Sequence, residues 1–432
     1  MPSVSFGQLL HRNADFRHLW YAQIASQLGD WFNIITLQAL LLDYTGKAGS
    51  VAGLLVAQMV PGMLVGPAAG VVVDRLSRRR VMIVADVCRA VLALGLLLVR
   101  GPETVYLAYP FVAGLSLFAA FFEPARSATL PNITRRAELV TANALVAVTW
   151  SSLLAAGALI GSLVARFLGK EAAFTLNGVS FLISAVFIAQ IRIPEEGRRP
   201  EGRGGWRELW EGLGYVRQRP AVLAALTAKA GWALGGGLQT LIPVFGAKVF
   251  PLAGDKKGLI AIALLTAAGG VGTALGPIAG RRVAGPEVPR LRWAIALAFL
   301  IGGLFIVGLG HAGSLGQAAA VLFAARFGGS IVWVFSTVLL QLLVEDAYRG
   351  RVFAVEMSLF TLAMLSSNLG TAAALDRGGA SPFTVTTALG VLTLVIGGAW
   401  VLSLSRGRGG SWRAERPGAG AVERDGMGGK GA

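Results

Sequence analysis

Apolar residues in this chain run in long unbroken blocks instead of alternating with polar ones. A helix needs about 20 largely apolar residues to cross a bilayer. Blocks meeting that length lie near 19–43, 49–73, 81–100, 104–126, 140–165 and 172–191. A second set follows near 221–249, 258–280, 292–310, 313–343, 352–375 and 382–404. The pattern predicts an all-α integral membrane protein of twelve transmembrane helices, arranged as two pseudo-symmetric six-helix bundles over 1–194 and 221–404. Between them, 195–220 reads as a polar linker. In it Trp206, Leu209, Trp210, Leu213 and Val216 recur at helical spacing, which predicts an amphipathic helix lying in the membrane interface. The segment 405–432 is rich in Gly and Arg and is expected to be a disordered tail.

The two sets repeat each other. Gly62-Met63-Leu64-Val65-Gly66-Pro67-Ala68-Ala69-Gly70 in the second span returns as Gly272-Thr273-Ala274-Leu275-Gly276-Pro277-Ile278-Ala279-Gly280 in the eighth. Both copies sit at the same place in a six-span cycle and both run into arginines. Parallel six-span repeats build one class of secondary carriers, with substrate bound between the halves. Glycines four apart share a helix face and let neighbouring helices approach closely.

Composition agrees with the pattern. The chain is 54% hydrophobic and only 14% charged, where soluble domains carry roughly 25% charged residues. A net charge of +16 would suit nucleic acid, but the placement of the charges argues otherwise. Most of the 39 Lys and Arg fall in the N-terminal segment, alternate loops and the tail, a minority fall in the other loops, and Arg89, Lys229 and Arg326 lie inside spans. This is the positive-inside bias, and it predicts that both termini are cytoplasmic and that the basic surface faces anionic lipid headgroups. Met1 to Arg17 lacks the apolar core of a removable signal peptide. Cys88 is the single cysteine, so no disulfide framework or cysteine-based zinc site is expected. His11, His18 and His311 are scattered, and no phosphate-binding GxxxxGK[ST] loop is present. Neither an enzyme, a metal site nor a cofactor is expected.

The most specific segment joins the second and third spans: Gly70-Val71-Val72-Val73-Asp74-Arg75-Leu76-Ser77-Arg78-Arg79-Arg80. It resembles the loop 2–3 motif of the major facilitator superfamily, with Ser77 in place of the usual glycine. Further segments resemble the macrolide-efflux and enterobactin-exporter branch of drug/proton antiporters. These are Asn13-Ala14-Asp15-Phe16-Arg17, Gln27-Leu28-Gly29-Asp30, Pro124-Ala125-Arg126-Ser127-Ala128-Thr129-Leu130-Pro131, Glu211-Gly212-Leu213-Gly214-Tyr215-Val216 and Arg349-Gly350-Arg351-Val352-Phe353. The resemblance implies alternating-access export of a drug-like or amphipathic compound in exchange for protons across a prokaryotic plasma membrane. A dedicated exporter of a native metabolite such as a siderophore, an uptake carrier and a non-transporting sensor with a carrier fold are the alternatives. Many antiporters of the superfamily carry a basic residue early in the fourth span, and Thr104 to Phe122 contains none.

The resemblance places Asp74 near the start of the eleventh span. A carboxylate there would favour that helix's N-terminal dipole, so Gly70, Asp74, Arg75, Arg78 and Arg79, with Glu123 and Arg126 at the end of the fourth span, form a candidate cytoplasmic gate. The alternative is that the arginines only set topology. Charges inside a bilayer are costly and mark function or interhelical pairing. Asp30 lies mid-span with no basic neighbour in sequence and is the first candidate for proton coupling, unless it serves as a structural partner for Lys229 or another cation. Asp86 and Arg89 are three apart on one helix face, so they either take part in coupling or pair with each other. Lys229, Arg326 and Glu356 are candidates to line the substrate cavity, and equally to form interhelical pairs. The expected partners are a small-molecule substrate, protons and the bilayer, with the chain itself a monomer.

Overall fold

The computed structural model of the protein describes residues 5–135, 138–193, 206–255, 257–284 and 287–406. Among them the chain is helical throughout and contains no strand. A short helix, α1 (Phe6–Arg12), leads into α2 (Ala14–Thr45), α3 (Ala48–Arg75), α4 (Arg78–Gly95), α5 (Ala108–Ile133), α6 (Leu139–Phe167) and α7 (Gly169–Ala189). Then come α8 (Trp206–Arg217), α9 (Pro220–Leu234), α10 (Leu238–Val244), α11 (Leu259–Ala284), α12 (Val288–Leu309), α13 (Leu315–Leu343), α14 (Asp346–Asp376) and α15 (Pro382–Arg406).

Ten of these helical stretches are long and apolar enough to cross a bilayer, and the bent helix α6 makes an eleventh. The first expected span, α2, is long enough at 32 residues but too polar to count with them. Gln23, Ser26, Asn33, Thr36 and Gln38 are buried along it. A helix that turns polar groups inward, toward protein and not lipid, has no need of a continuous apolar surface. Its ends follow local rules. Asn13 accepts from Phe16 N at 2.9 Å as the N-cap, and Gly46 closes the helix at φ +65°, a left-handed conformation that glycine adopts without steric cost.

The seventh span is broken. Its two pieces, α9 and α10, are separated by Gly235-Gly236-Gly237. Breaking a helix frees backbone groups that hydrocarbon cannot satisfy, and α14 satisfies them here. Asn368 Oδ1 accepts from Thr240 N at 3.0 Å and from Thr240 Oγ1 at 2.9 Å, its Nδ2 donates to Gly236 O at 3.2 Å, and Ser367 Oγ donates to Leu234 O at 2.6 Å.

The glycine repeat packs unequally in its two copies. In α11, a Cβ at Gly272 would lie 2.1 Å from Phe323 O and one at Gly276 2.3 Å from Phe327 O, so α11 and α13 touch backbone to backbone. In α3, a Cβ at Gly62 would stay 3.3 Å or more from Ser116 of α5, and Gly66 faces open space.

Residues 194–205 and 407–432 lie outside the described residues, as do the side chains of Trp206 and Leu209. The helix α8 is present, but its apolar face docks on protein. Tyr215 stacks on Tyr348 of α14 with ring centroids 4.5 Å apart, Val216 is buried, and Glu211 pairs with Arg351 at 3.2 Å. Trp210, at 69% exposure, stays outward. Trp20 donates from Nε1 to Thr149 Oγ1 of α6 at 2.8 Å.

Candidate functional site

Five of the six in-span charges fall into three environments. In the first bundle, Asp86 is fully buried and forms an ion pair with Arg89 one turn along α4, while Ser184 Oγ of α7 donates to it at 2.6 Å. The guanidinium lies between Phe122 of α5 and Phe181 of α7, 4.4 and 4.3 Å from the ring centroids. Paired, hydrogen-bonded and stacked, these two residues knit α4, α5 and α7 together. In the second bundle, Lys229 of α9 and Glu356 of α14 are both buried and pair at 2.9 Å. Lys229 also donates to Thr337 Oγ1 of α13 at 2.7 Å and lies 4.6 Å from the Trp333 ring. Two of the three residues expected to line a cavity thus neutralise each other.

Asp30 stands apart. It lies near the middle of α2, half-buried, and has no hydrogen-bond or ion-pair partner among the described residues. The charged groups close enough to act on it are Arg89, Asp86 and Glu123, all in its own bundle. Lys229, the cross-bundle partner considered for it, is committed to Glu356.

Arg326, the sixth, is the counterpart in the second bundle. It sits mid-way along α13, half-buried, with its stem against Gly269 of α11, where a Cβ would be 3.2 Å from Arg326 Cγ. It too has no hydrogen-bond or ion-pair partner among the described residues.

The two ends of the molecule are built differently. At the end carrying Gly46, the bundles share apolar cores: Phe32, Ile35, Ala39, Ala158 and Ala165 pack with Leu238, Leu241, Phe245 and Ile262, and Leu42, Val51 and Ala52 pack with Val244 and Ala372. A polar clasp lies over these cores. Asp376, at the C-terminus of α14, accepts from Ala48 N at 2.9 Å and Gly49 N at 2.6 Å, the first amides of α3. No side chain of its own caps α3, so the cap comes from the other bundle. Lys248 Nζ donates to Gly46 O at 2.6 Å, Arg166 pairs with Asp255 at 3.5 Å, and Lys257 with Asp43 at 3.6 Å. Asp255 is buried and also caps α11 through Ile260 N at 2.8 Å.

At the end carrying Arg75 each bundle keeps its own core, Leu9 to Ile191 in one and Tyr215 to Leu404 in the other. The side-chain hydrogen bonds and ion pairs described there run within a bundle, such as Arg78 to Ala128 O and Arg126 to Glu123 in one and Arg219 to Glu345 in the other. The candidate gate residues hold to their own half. Arg78 donates to Ala128 O of α5 at 2.8 Å, Arg79 to Ala189 O of α7, and Arg126 pairs with Glu123 at 2.7 Å and reaches Gln23 Oε1 at 3.5 Å. Arg75, Arg79, Arg80 and Arg192 line a basic cleft of about 1060 Å³. The side chain of Asp74 and the surroundings of Gly70 lie outside the described residues.

Sequence reading missed the Asp376 clasp and the Asn368 brace of the broken span. Asp376 and its amide partners are 328 and 327 positions apart, beyond any local pattern. The Gly235-Gly236-Gly237 run was the visible sign of the break.

Comparison with known proteins agrees with this architecture. The family profile of the Major Facilitator Superfamily matches residues 19–368. An MFS-type transporter of Bacillus subtilis, YkuC, is 27% identical over 73% of this chain and 75% of its own. Macrolide efflux protein A of Streptococcus pyogenes is 26% identical over 81% of this chain and 86% of its own. A protein of Bacillus amyloliquefaciens named as a bacilysin exporter, BacE, is 30% identical over 49% of this chain and 53% of its own. Among solved structures, the nucleoside transporter NupG overlays with a TM-score of 0.70 at 12% identity, covering 90% of this chain and 98% of that one. With its helical membrane fold, its internal repeat and a profile match over most of its length, this chain belongs to the Major Facilitator Superfamily.

Proposed function

We propose that this transporter exports a drug-like or amphipathic organic compound from a prokaryotic cytoplasm, coupled to proton entry, by alternating access between its two bundles. The observation that carries the reading is the unequal pair of ends. The bundles share apolar cores and a polar clasp at the Gly46 end and keep separate cores at the Arg75 end. With the arginine-rich loop and both termini cytoplasmic, as the positive-inside bias has it, this is a conformation open to the cytoplasm.

Asp30 is the proton site: an unpaired carboxylate mid-way along a polar first span, set among charges of its own bundle. Closing the cytoplasmic end uses the same two helices as the clasp, with their parts exchanged. Asp376 at the end of α14 caps the start of α3, and Asp74 at the end of α3 would cap the start of α14 when the other end opens. The open glycine face of α3 at Gly66 leaves room for that approach. Arg75, Arg78 and Arg79, with Glu123 and Arg126, then border the gate. The Asp86–Arg89 pair supports Asp30 by holding its bundle together. Efflux is also what the names of two relatives describe.

A dedicated exporter of one native metabolite is the second reading, favoured by the unpaired Arg326, which suits an anionic ligand better than a cationic drug.

The test is a toxicity panel of macrolides, other antibiotics, dyes and detergents in a host stripped of its own efflux pumps. Wild type, Asp30→Asn and Asp74→Asn are compared at matched membrane expression. Protection by wild type that both variants lose is expected. Protection that survives in both variants would sink the assigned roles.

A further inference from the structure

We infer that the compound this protein moves carries an anionic group, a carboxylate or its chemical equivalent, and that Arg326 receives it. The inference rests on the exporter reading and deepens it.

Three cations lie deep inside the spans, away from the span ends: Arg89, Lys229 and Arg326. The first two are neutralised within the protein, Arg89 by Asp86 and Lys229 by Glu356. Arg326 is treated differently. Its charge cannot be shed at any accessible pH, and its place mid-way along α13 takes it far from either membrane surface. Yet no carboxylate, hydroxyl or carbonyl among the described residues meets it. A guanidinium so placed is costly unless it faces a cavity and finds a partner there.

The geometry of α13 indicates which way it faces. Trp333 and Thr337 follow Arg326 by seven and eleven positions, close to whole numbers of helical turns, so the three share a face. Thr337 on that face meets Lys229 of α9, and Trp333 meets Phe360 of α14 edge-on at 5.0 Å. Arg326 therefore lies about two turns along a face directed at α9 and α14, the helices of the broken span and its brace, and away from α12 on the opposite side. Broken helices at mid-membrane are where carriers of this architecture bind substrate. The stem of Arg326 rests on Gly269, whose missing side chain leaves room for it. A fork of guanidinium donors with an aromatic ring on the same face fits an amphipathic anion, the carboxylate taken in bidentate fashion and the apolar body lying along the ring.

Arg326 and Asp30 then divide the work between the bundles. The unpaired acid of the first takes the proton, and the unpaired base of the second takes the substrate's negative charge.

The experiment uses the purified full-length chain in nanodiscs and one matched pair of fluorescent probes. Rhodamine 110 carries a free carboxylate, and rhodamine 123 is its methyl ester on the same ring system. Fluorescence polarisation titrations give an acid-to-ester affinity ratio for wild type, Arg326→Lys and Arg326→Met. The expected ratio is about tenfold or more in favour of the acid for wild type, smaller for Arg326→Lys and near one for Arg326→Met. A wild-type ratio at or below one overturns the inference and leaves the exporter reading standing. So does a ratio that Arg326→Met does not change. A second arm needs no ligand. Thermal unfolding of Arg326→Met is expected at or above the wild-type midpoint, because the substitution removes a charge that has no partner among the described residues, whereas Arg89→Met unfolds lower. An equal fall in both variants would make Arg326 a structural arginine and overturn the inference. Failure of the exporter reading shows separately, as a toxicity panel without protection.

Discussion

Removing the Asp376 carboxylate should loosen the closed end of the molecule by an amount its contacts allow one to estimate. Asp376→Ala deletes two hydrogen bonds to the first amides of α3, at 2.9 and 2.6 Å, and a negative charge at the N-terminus of a 28-residue helix. A typical hydrogen bond contributes about 0.5–1.5 kcal/mol net and the charge–dipole interaction about 0.3–1 kcal/mol. Asp376 is exposed, so solvent screening places the total toward the low end, about 1–2 kcal/mol. Since these contacts join the two bundles, their loss falls on the equilibrium between closed and open forms of this end more than on folding. The shift is roughly 5- to 30-fold toward the open form. Spin labels at Glu103→Cys and His311→Cys, exposed positions in opposite bundles, would report it by electron–electron distance measurement. Cys88 is the only native cysteine and is replaced by serine first. Wild type should show predominantly the short distance, and Asp376→Ala a clearly grown longer component. An unchanged distribution in a well-folded variant would refute the reasoning, leaving the shared apolar cores as what holds the end shut.

Three other outcomes follow from the packing. Removing either Lys229 or Glu356 strands a buried charge and should lower stability by about 3–5 kcal/mol, while replacing both by methionine should recover most of the loss; additive losses in thermal unfolding of the double variant would contradict a coupled pair. Gly276→Ala should unfold at a lower temperature than wild type, since its Cβ would meet Phe327 O at 2.3 Å, whereas Gly66→Ala meets nothing within 4 Å and should be close to neutral in the same assay. Asp30→Asn should abolish substrate-induced proton movement in reconstituted vesicles while leaving the unfolding midpoint near that of wild type, because no partner is lost; an intact proton signal would remove Asp30 from the coupling step.

Much of this architecture could be read from the linear chain because a bilayer imposes its constraint one segment at a time. Length and apolarity mark each span, and the glycine segment that returns at an offset of 210 residues marks the halves, all without knowledge of which helix meets which. Even the unusual first span was recognisable, and its departure from a uniformly apolar helix has a local cause in Gln23, Asn33 and Gln38, which turn inward. The in-span charges were equally plain as a set.

Sorting those charges required the tertiary structure. Asp86 and Arg89 share one helix face and could be paired by spacing alone. Lys229 and Glu356 are 127 positions apart, and their pairing depends on how α9, α13 and α14 pack. Only after that pairing is known do Asp30 and Arg326 emerge as the two in-span charges without partners among the described residues, an acid in one bundle and a base in the other. The Asp376 clasp is of the same kind. Hydrophobic periodicity is a property of each helix by itself, whereas a contact between bundles belongs to one of several arrangements the same helices can adopt, so its place is settled by packing and not by the order of residues along the chain.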